Sequence, residues 1–483
     1  MASEYREVSV LILGGGLCGI GAAIRLQRDA GIEDVLVVEK NSQLGGTWWR
    51  NTYPGCACDI PSSAYSFEFA PNPEWTRVFA HQPEILNYLL AVAAQHNIPE
   101  RTLFNTEVLS ARWIEDTQRW HVKTTSGLVI TPIFVFAPGG LYEPNIPEIP
   151  GADSFDGIAF HTSRWSHDHD LTGRRVAVIG SGASAVQCVS RIQPRVAHLT
   201  LLQRTPGWVW PKLDWRTTAV EHAIYRRFPS TQRIMRRLQL EIADAVLRVY
   251  GRVELARPLG VVGRAHLWLT VRDRKLRAVL TPNYVPGCKR VLLDNHFYRA
   301  VVQPNVTVVA HGLKEIRPGS VIASDWSEHE VDTIIWATGF HHSDHPIAKQ
   351  IRGRDGRTLE QTWGDNPKAY MGASTAGFPN AFMLYGPNAG TASCFLMLEA
   401  QLNFVIATVL HMRKYGIASL HIRPEVVDHW KRDMQAKLVR STWVKGGCNS
   451  WYRDISGDIY SLYGGSMRDM LNRSHQFDPD WFR

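Results

Sequence analysis

Val8-Ser-Val-Leu-Ile-Leu-Gly14-Gly-Gly16-Leu-Cys-Gly19 joins a short β-branched and apolar run to a Gly-x-Gly-x-x-Gly turn. Ile20 to Gln27 continues with helical spacing, and Val35-Leu-Val-Val38 reads as the next strand, ending in Glu39. Strand, turn, helix and strand make a βαβ unit. Gly14, Gly16 and Gly19 permit a tight turn and let the backbone approach a pyrophosphate, which sits at the helix N-terminus. Glu39, about twenty residues beyond Gly19, is placed to accept hydrogen bonds from a ribose. The same grammar returns further on. Arg175-Val-Ala-Val-Ile179 is a strand, Gly180-Ser-Gly182-Ala-Ser184-Ala185 opens a helix, and the paired strand Leu199 to Leu202 ends in Gln203-Arg204-Thr205 rather than in an acid. A ribose hydroxyl calls for a carboxylate, whereas a 2′-phosphate calls for a guanidinium, so Arg204 points to a 2′-phosphorylated dinucleotide. The fold class is therefore α/β, with two Rossmann-like dinucleotide-binding domains.

The 483 residues are too many for one ordinary core and predict two or three domains. With 45% apolar and 20% charged residues, the chain has a soluble globular composition. Its start, Met-Ala-Ser-Glu-Tyr-Arg-Glu7, carries charges of both signs and no apolar signal, and no apolar run is expected to reach the length of a membrane span. Seven scattered cysteines do not read as a disulfide framework, and Cys56-Ala-Cys58 has neither zinc-site nor redox spacing, so these are expected to be structural. A reducing cytoplasm is the expected location. The net charge of +8 needs neither nucleic acid nor an anionic membrane as partner, because part of it answers to cofactor phosphates and no nucleic-acid signature accompanies it.

Between and around the two nucleotide motifs lie the most specific stretches. Gly45-Gly46-Thr47-Trp48-Trp-Arg-Asn-Thr-Tyr53-Pro54-Gly55-Cys-Ala-Cys-Asp59 is a Gly/Pro-punctuated loop too rich in aromatics for an ordinary surface turn, and suggests backbone lying along a flat ligand. The linker Phe155-Asp-Gly157-Ile-Ala-Phe-His161-Thr-Ser-Arg-Trp165 joins the two sites. Both resemble the fingerprints of the Baeyer–Villiger monooxygenases, the first at every fixed position. Related flavin monooxygenases acting on nitrogen and sulfur carry Phe or Tyr where Trp165 stands. After Trp165 the family pattern has Pro or Asp, and this chain has Ser166, with Asp168 two places on. From the residues alone, His161 is open to two readings, a buried imidazole fixing a loop or a chemical group.

The resemblance covers essentially the whole chain and implies FAD at the first site and NADPH at the second. It places Thr47, Trp48, Asp59 and Tyr65 near the flavin and lets Val108 contribute backbone contacts to the adenine. Gly180, Gly182, Ser184, Arg204, Thr205 and Lys289 are implied to hold NADPH, and Trp451, in Asn449-Ser450-Trp451, to close over the nicotinamide. Arg290 is implied as the principal catalytic residue, oriented by Asp59. The implied chemistry is hydride transfer from NADPH to FAD, addition of O2 to the reduced flavin, and attack of the resulting peroxyflavin on a ketone, giving an ester or lactone. A permanent guanidinium beside anionic species stabilises them without changing its own protonation. In isolation Lys289-Arg290 also reads as a surface basic pair at a strand start. Two rival activities stay open: oxygenation of sulfur or nitrogen, and NADPH-dependent flavin reduction without oxygen transfer.

The domain boundaries expected are 1–143 for the first part of the FAD-binding domain and 144–206 for the linker and the start of the NADPH-binding domain. A helical insertion at 207–288 follows, then 289–340 for the second part of the NADPH-binding domain and 341–483 for completion of the FAD-binding domain. In the insertion, Arg226, Arg227, Arg233, Arg236 and Arg237 flank an apolar stripe at Ile234, Leu238, Ile242, Val246 and Val249. The spacing predicts a helix, read as presenting a solvated basic face in preference to lying on a membrane. Relatives carry a longer loop with Gly-His after Asn388, where this chain has Ala-Gly-Thr-Ala-Ser-Cys394, so the substrate border is expected to differ.

Overall fold

The computed structural model describes residues 5–342 and 345–483; most of the charged start, Met1–Glu4, lies outside it. Two parallel sheets organise the chain. In the first, the order is Ala381–Met383, Ile133–Phe136, Val10–Leu13, Val35–Val38, Thr102–Leu103, every neighbour parallel. Val10, Leu11, Ile12, Phe134, Val135 and Val37 are fully buried, because both faces of the sheet are covered, Val10, Ile12, Val37 and Val135 facing helices and Leu11 and Phe134 facing an antiparallel meander. An antiparallel meander, Val108–Ile114, Arg119–Thr124 and Gly127–Thr131, leads into the Ile133 strand. The second sheet runs Val306–Val309, His198–Leu202, Arg175–Ile179, Thr333–Trp336, Ile158–His161, again all parallel.

The first nucleotide helix is Leu17–Ala30, longer at both ends than its predicted core, and it stops at Gly31, whose left-handed conformation suits glycine. It packs against Cys394–Tyr415. That helix corrects one expectation: it is long and apolar enough to cross a membrane by length and composition, yet 72% of its apolar window is buried inside the protein. It is the central core helix of the half built on the first sheet, where an all-round apolar helix belongs.

After the short strand Val209–Trp210, which pairs with Leu292–Leu293, the chain forms helices at Ala219–Arg227, Pro229–Tyr250, Val253–Ala256, Gly260–Thr270 and Arg274–Val279. The orientation of Pro229–Tyr250 is not as predicted. Its inward positions are Gln232, Arg236, Leu240, Asp244 and Tyr250, while Ile234, Leu238, Ile242 and Val246 face outward and Val249 is half-buried. Arg236 is buried because its guanidinium donates to both carboxylate oxygens of Glu399 at 2.9 Å. Sequence periodicity fixes that a helix has two faces, not which face finds partners.

The cysteine expectation is also corrected in one place. Cys288 and Cys448 form a disulfide across 160 residues, with Cα atoms 6.1 Å apart. Only the fold brings such distant positions together. Cys56 and Cys58 are free and buried, as expected, and burial pushes the Cys56 thiol up to about 12.

Candidate active site

The glycine turns at the ends of the two sheets repeat one another. A Cβ on Gly14 would lie 2.4 Å from the Ala137 carbonyl oxygen, and one on Gly180 would lie 2.3 Å from that of Ala337; both residues have positive φ. Each turn is thus pressed against the chain as it leaves a neighbouring strand, a closeness only glycine permits. Gly16 and Gly182 cap the helices that follow without any side-chain bond, and the space beside Gly182 is open. Amide groups left free at a helix start over open space fit a pyrophosphate. Gly19 lies buried in the first turn of its helix.

At the first site Glu39 is buried at the end of the Val35–Val38 strand. It accepts from Gly15 N at 2.7 Å and from Asn41 N at 2.8 Å, which fixes the carboxylate beside the glycine turn. The aromatic loop lies next to it. Thr47 and Trp48 begin the short helix Thr47–Arg50, Trp48 Nε1 donates to the Tyr65 hydroxyl at 3.0 Å, and Tyr65 meets Phe395 edge to face. The same loop reaches the second nucleotide helix: Tyr53 OH donates to Gln187 Oε1 at 2.8 Å, and Gln187 Nε2 donates to the Ala57 carbonyl at 3.0 Å. Val108 is buried at the start of the meander, with its backbone in the ladder opposite Thr124.

At the second site Arg204 is exposed just beyond the His198–Leu202 strand, and Thr205 O accepts from Ser181 Oγ at 2.7 Å. Lys289 is brought to the same place. Burial and the charge of Arg204 both lower its pKa, and its ammonium lies over the Tyr284 ring at 5.5 Å. Ser184 sits in the first turn of the helix and reaches Tyr53. Two cations held together against their mutual repulsion fit a doubly charged phosphate.

Between the two sites the sequence-predicted pair is formed. Arg290 Nε donates to Asp59 Oδ2 at 2.9 Å, and a second guanidinium nitrogen donates to the other oxygen, a planar fork. Burial works to raise the Asp59 pKa, but Arg290, with Lys212 behind it, holds the carboxyl below its ordinary range. Arg290 is correspondingly raised, chiefly by Asp59. Its side chain still keeps 47% of its accessible surface, so the guanidinium presents an open face while its other edge is clamped. Two neighbours carried no sequence signal. Lys212 enters from the insertion and donates to the Cys58 carbonyl at 3.0 Å, and Tyr452 lies close enough to Arg290 and Asp59 to feel both charges. Trp451 is 46% exposed and stacks on His342 at 4.3 Å, away from burial in the core.

His161 is fully buried at the end of the edge strand Ile158–His161. It caps the turn Thr162–Arg164 by accepting from Ser163 N at 3.1 Å and packs edge to face on Phe340. The structure gives it a loop-fixing place, and Phe160 is packed edge to face on Trp165 beside it.

The chain as a whole is similar to known proteins. Residues 11–246 match the Pyridine nucleotide-disulphide oxidoreductase family. A Baeyer–Villiger monooxygenase of Streptomyces coelicolor is 42% identical over 480 residues, spanning 98% of this chain and 92% of that protein. Among solved structures, closed cyclohexanone monooxygenase superposes with a TM-score of 0.89 at 27% identity, covering 99% of each chain. The OTEMO complex with FAD and NADP also gives 0.89, at 26% identity, covering 99% of this chain and 100% of that one. The chain belongs to the Baeyer–Villiger monooxygenase family.

Proposed function

We propose that this protein is an FAD- and NADPH-dependent monooxygenase that inserts one atom of O2 beside the carbonyl of a small-molecule ketone, giving an ester or lactone. The observation that carries the reading is the Arg290–Asp59 fork, open on one edge and lying between the two cradles. The cradle of Gly14, Gly16, Gly19 and Glu39, with Thr47, Trp48, Tyr65 and Val108, would hold FAD. Gly180, Gly182, Ser184, Arg204, Thr205 and Lys289 would hold NADPH, with Trp451 placed to cover it. The similar solved structure in complex with FAD and NADP supports a chain that holds both cofactors. Bound flavin, reduced by NADPH, supplies activated oxygen, and the organic chemistry is the cofactor's.

What the chain adds is charge and position. Attack of an oxygen nucleophile on a carbonyl places negative charge on the former carbonyl oxygen, and Arg290 offers fixed N–H donors there. Asp59 holds the guanidinium planar and oriented, while Lys212 compensates the buried carboxylate. Because Arg290 stays protonated throughout, it stabilises the anion without consuming a proton. NADPH dependence makes the cytoplasm, where that reductant is maintained, part of the same proposal. The test is purified yellow enzyme with NADPH against a panel of ketones and sulfides, with product mass and regiochemistry read by mass spectrometry. Ester or lactone gaining one oxygen supports the reading; sulfoxide alone, or NADPH oxidation with no oxygenated product, overturns it.

A further inference from the structure

The insertion is built inside out. Along Pro229–Tyr250 the buried row is mostly polar. Gln232 donates to the Asn72 carbonyl, Arg236 is forked on Glu399, and Asp244 accepts from Met467 N at 2.8 Å. The apolar row therefore faces away from the protein, with Ile234 65%, Leu238 53% and Ile242 58% exposed. The adjoining helix Ala219–Arg227, which packs on it, exposes Val220 and Ile224 in the same manner, and Phe228 between the two helices is also exposed. A surface helix in a self-contained protein turns its apolar stripe inward; a contiguous outward stripe marks a docking surface.

Charge identifies what docks. Residues 207–288 hold thirteen Arg and two Lys against six acids, a net +9, while all the rest of the chain sums to −1. Arg233, Arg237 and Arg248 run along one edge of the stripe and are exposed. The two helices themselves hold six Arg against three acids, a net +3, so a second copy of this chain would bring positive charge against positive charge. A nucleic acid would answer the charge but has no use for an aliphatic ridge. An anionic lipid surface answers both, taking the apolar ridge among its acyl chains and the guanidinium groups at its phosphates.

We propose that the helices Ala219–Arg227 and Pro229–Tyr250 form a peripheral docking face for an anionic phospholipid bilayer. This holds whatever compound the active site oxidises. The FAD-loaded enzyme is floated with phosphatidylcholine vesicles, with and without about 30% phosphatidylglycerol. The expected result is co-flotation with the anionic vesicles only, weakened by salt. The triple variant Ile234→Ser, Leu238→Ser, Ile242→Ser removes outward side chains and is expected to keep its FAD while losing about tenfold or more in vesicle partitioning. Arg233→Gln with Arg237→Gln is expected to weaken binding and flatten the salt dependence. Absence of binding to either vesicle, equal binding to both, or undiminished binding by the triple variant overturns the proposal. So does a dimer in light scattering that the triple variant splits, which assigns the face to a second copy.

Discussion

On the proposed function, Arg290 stabilises charge on a substrate only while Asp59 holds it, which separates its role from simple phosphate binding. Arg290→Ala is expected to retain FAD and NADPH, since it leaves Arg204 and Lys289, the groups proposed for the phosphate, in place, and to go on consuming NADPH. Its ester yield should fall at least about a hundredfold, the size of losing one aimed donor at a developing oxyanion, with hydrogen peroxide formed instead. Arg290→Lys should restore little, because an ammonium cannot make the two-pronged contact seen with Asp59. Measured product per NADPH near the wild-type value would remove Arg290 from the chemistry. Arg204→Ala gives the complementary outcome: a raised KM for NADPH, worth about 1.5–3 kcal/mol of binding, with NADH almost unaffected. Equal damage with both reductants would show that Arg204 does not read the phosphate. The positions of Glu39 and Arg204 just past strands beside the two glycine turns were legible in the sequence, because each is fixed by distance along the chain from such a turn, while the Asp59–Arg290 pairing was implied only by the family resemblance. Lys212 and Tyr452 were not legible. They arrive at Asp59 from positions 153 and 393 residues away, by routes that only the folded insertion and C-terminal segment define.

Elements explain where the linker and the disulfide act. His161 closes an edge strand and caps the turn behind it, and burial lowers its pKa to about 4. In the unfolded chain the imidazole takes a proton below about 6.5, so the native state binds fewer protons through the window between. Stability on this account is full above about 6.5 and is lost progressively as pH falls toward 4, by about 2–3 kcal/mol. His161→Asn, which retains an acceptor for Ser163 N, should flatten that limb of a denaturation-versus-pH curve; an unchanged slope would mean that other groups set it. Cys288 directly precedes Lys289-Arg290, and Cys448 stands three residues before Trp451, so their bond ties the loop of the arginine clamped on Asp59 to the segment bearing the tryptophan. Closing so long a loop stabilises by up to about 5 kcal/mol in the chain-entropy view. Dithiothreitol should lower the melting temperature of the wild type and leave Cys288→Ser with Cys448→Ser, already lower, unmoved. Strands and helices were read well where a period and a glycine turn agreed. The inverted helix Pro229–Tyr250 was not, because its facing is decided by Glu399, Asn72 and Met467, residues far away in sequence.

At the scale of the whole molecule, the insertion is seated on the rest of the chain by apolar contacts at Leu240 and Tyr250 and by the buried Arg236–Glu399 pair. Glu399 lies on the core helix Cys394–Tyr415, where burial raises its pKa and Arg236 works against that rise. One carboxylate oxygen also accepts from Glu68 N at 2.8 Å, so the pair joins three separate parts of the chain. A buried ion pair gives modest net stability because desolvation offsets attraction, but removing one partner strands the other charge. Arg236→Leu should therefore cost about 3–5 kcal/mol in chemical denaturation, with the loss growing as pH rises and Glu399 is forced to ionise. Adding Glu399→Gln, which keeps an acceptor for Glu68 N, removes the stranded charge and should recover a substantial part. The two substitutions are thus expected to be strongly non-additive. FAD content should survive in the double variant, because the Gly14–Glu39 turn proposed to hold the flavin does not touch this pair. If Arg236→Leu alone costs less than about 1 kcal/mol, or if the losses add, the pair does not seat the insertion, and Leu240, packed among Ala64, Leu396 and Met467, carries that task instead.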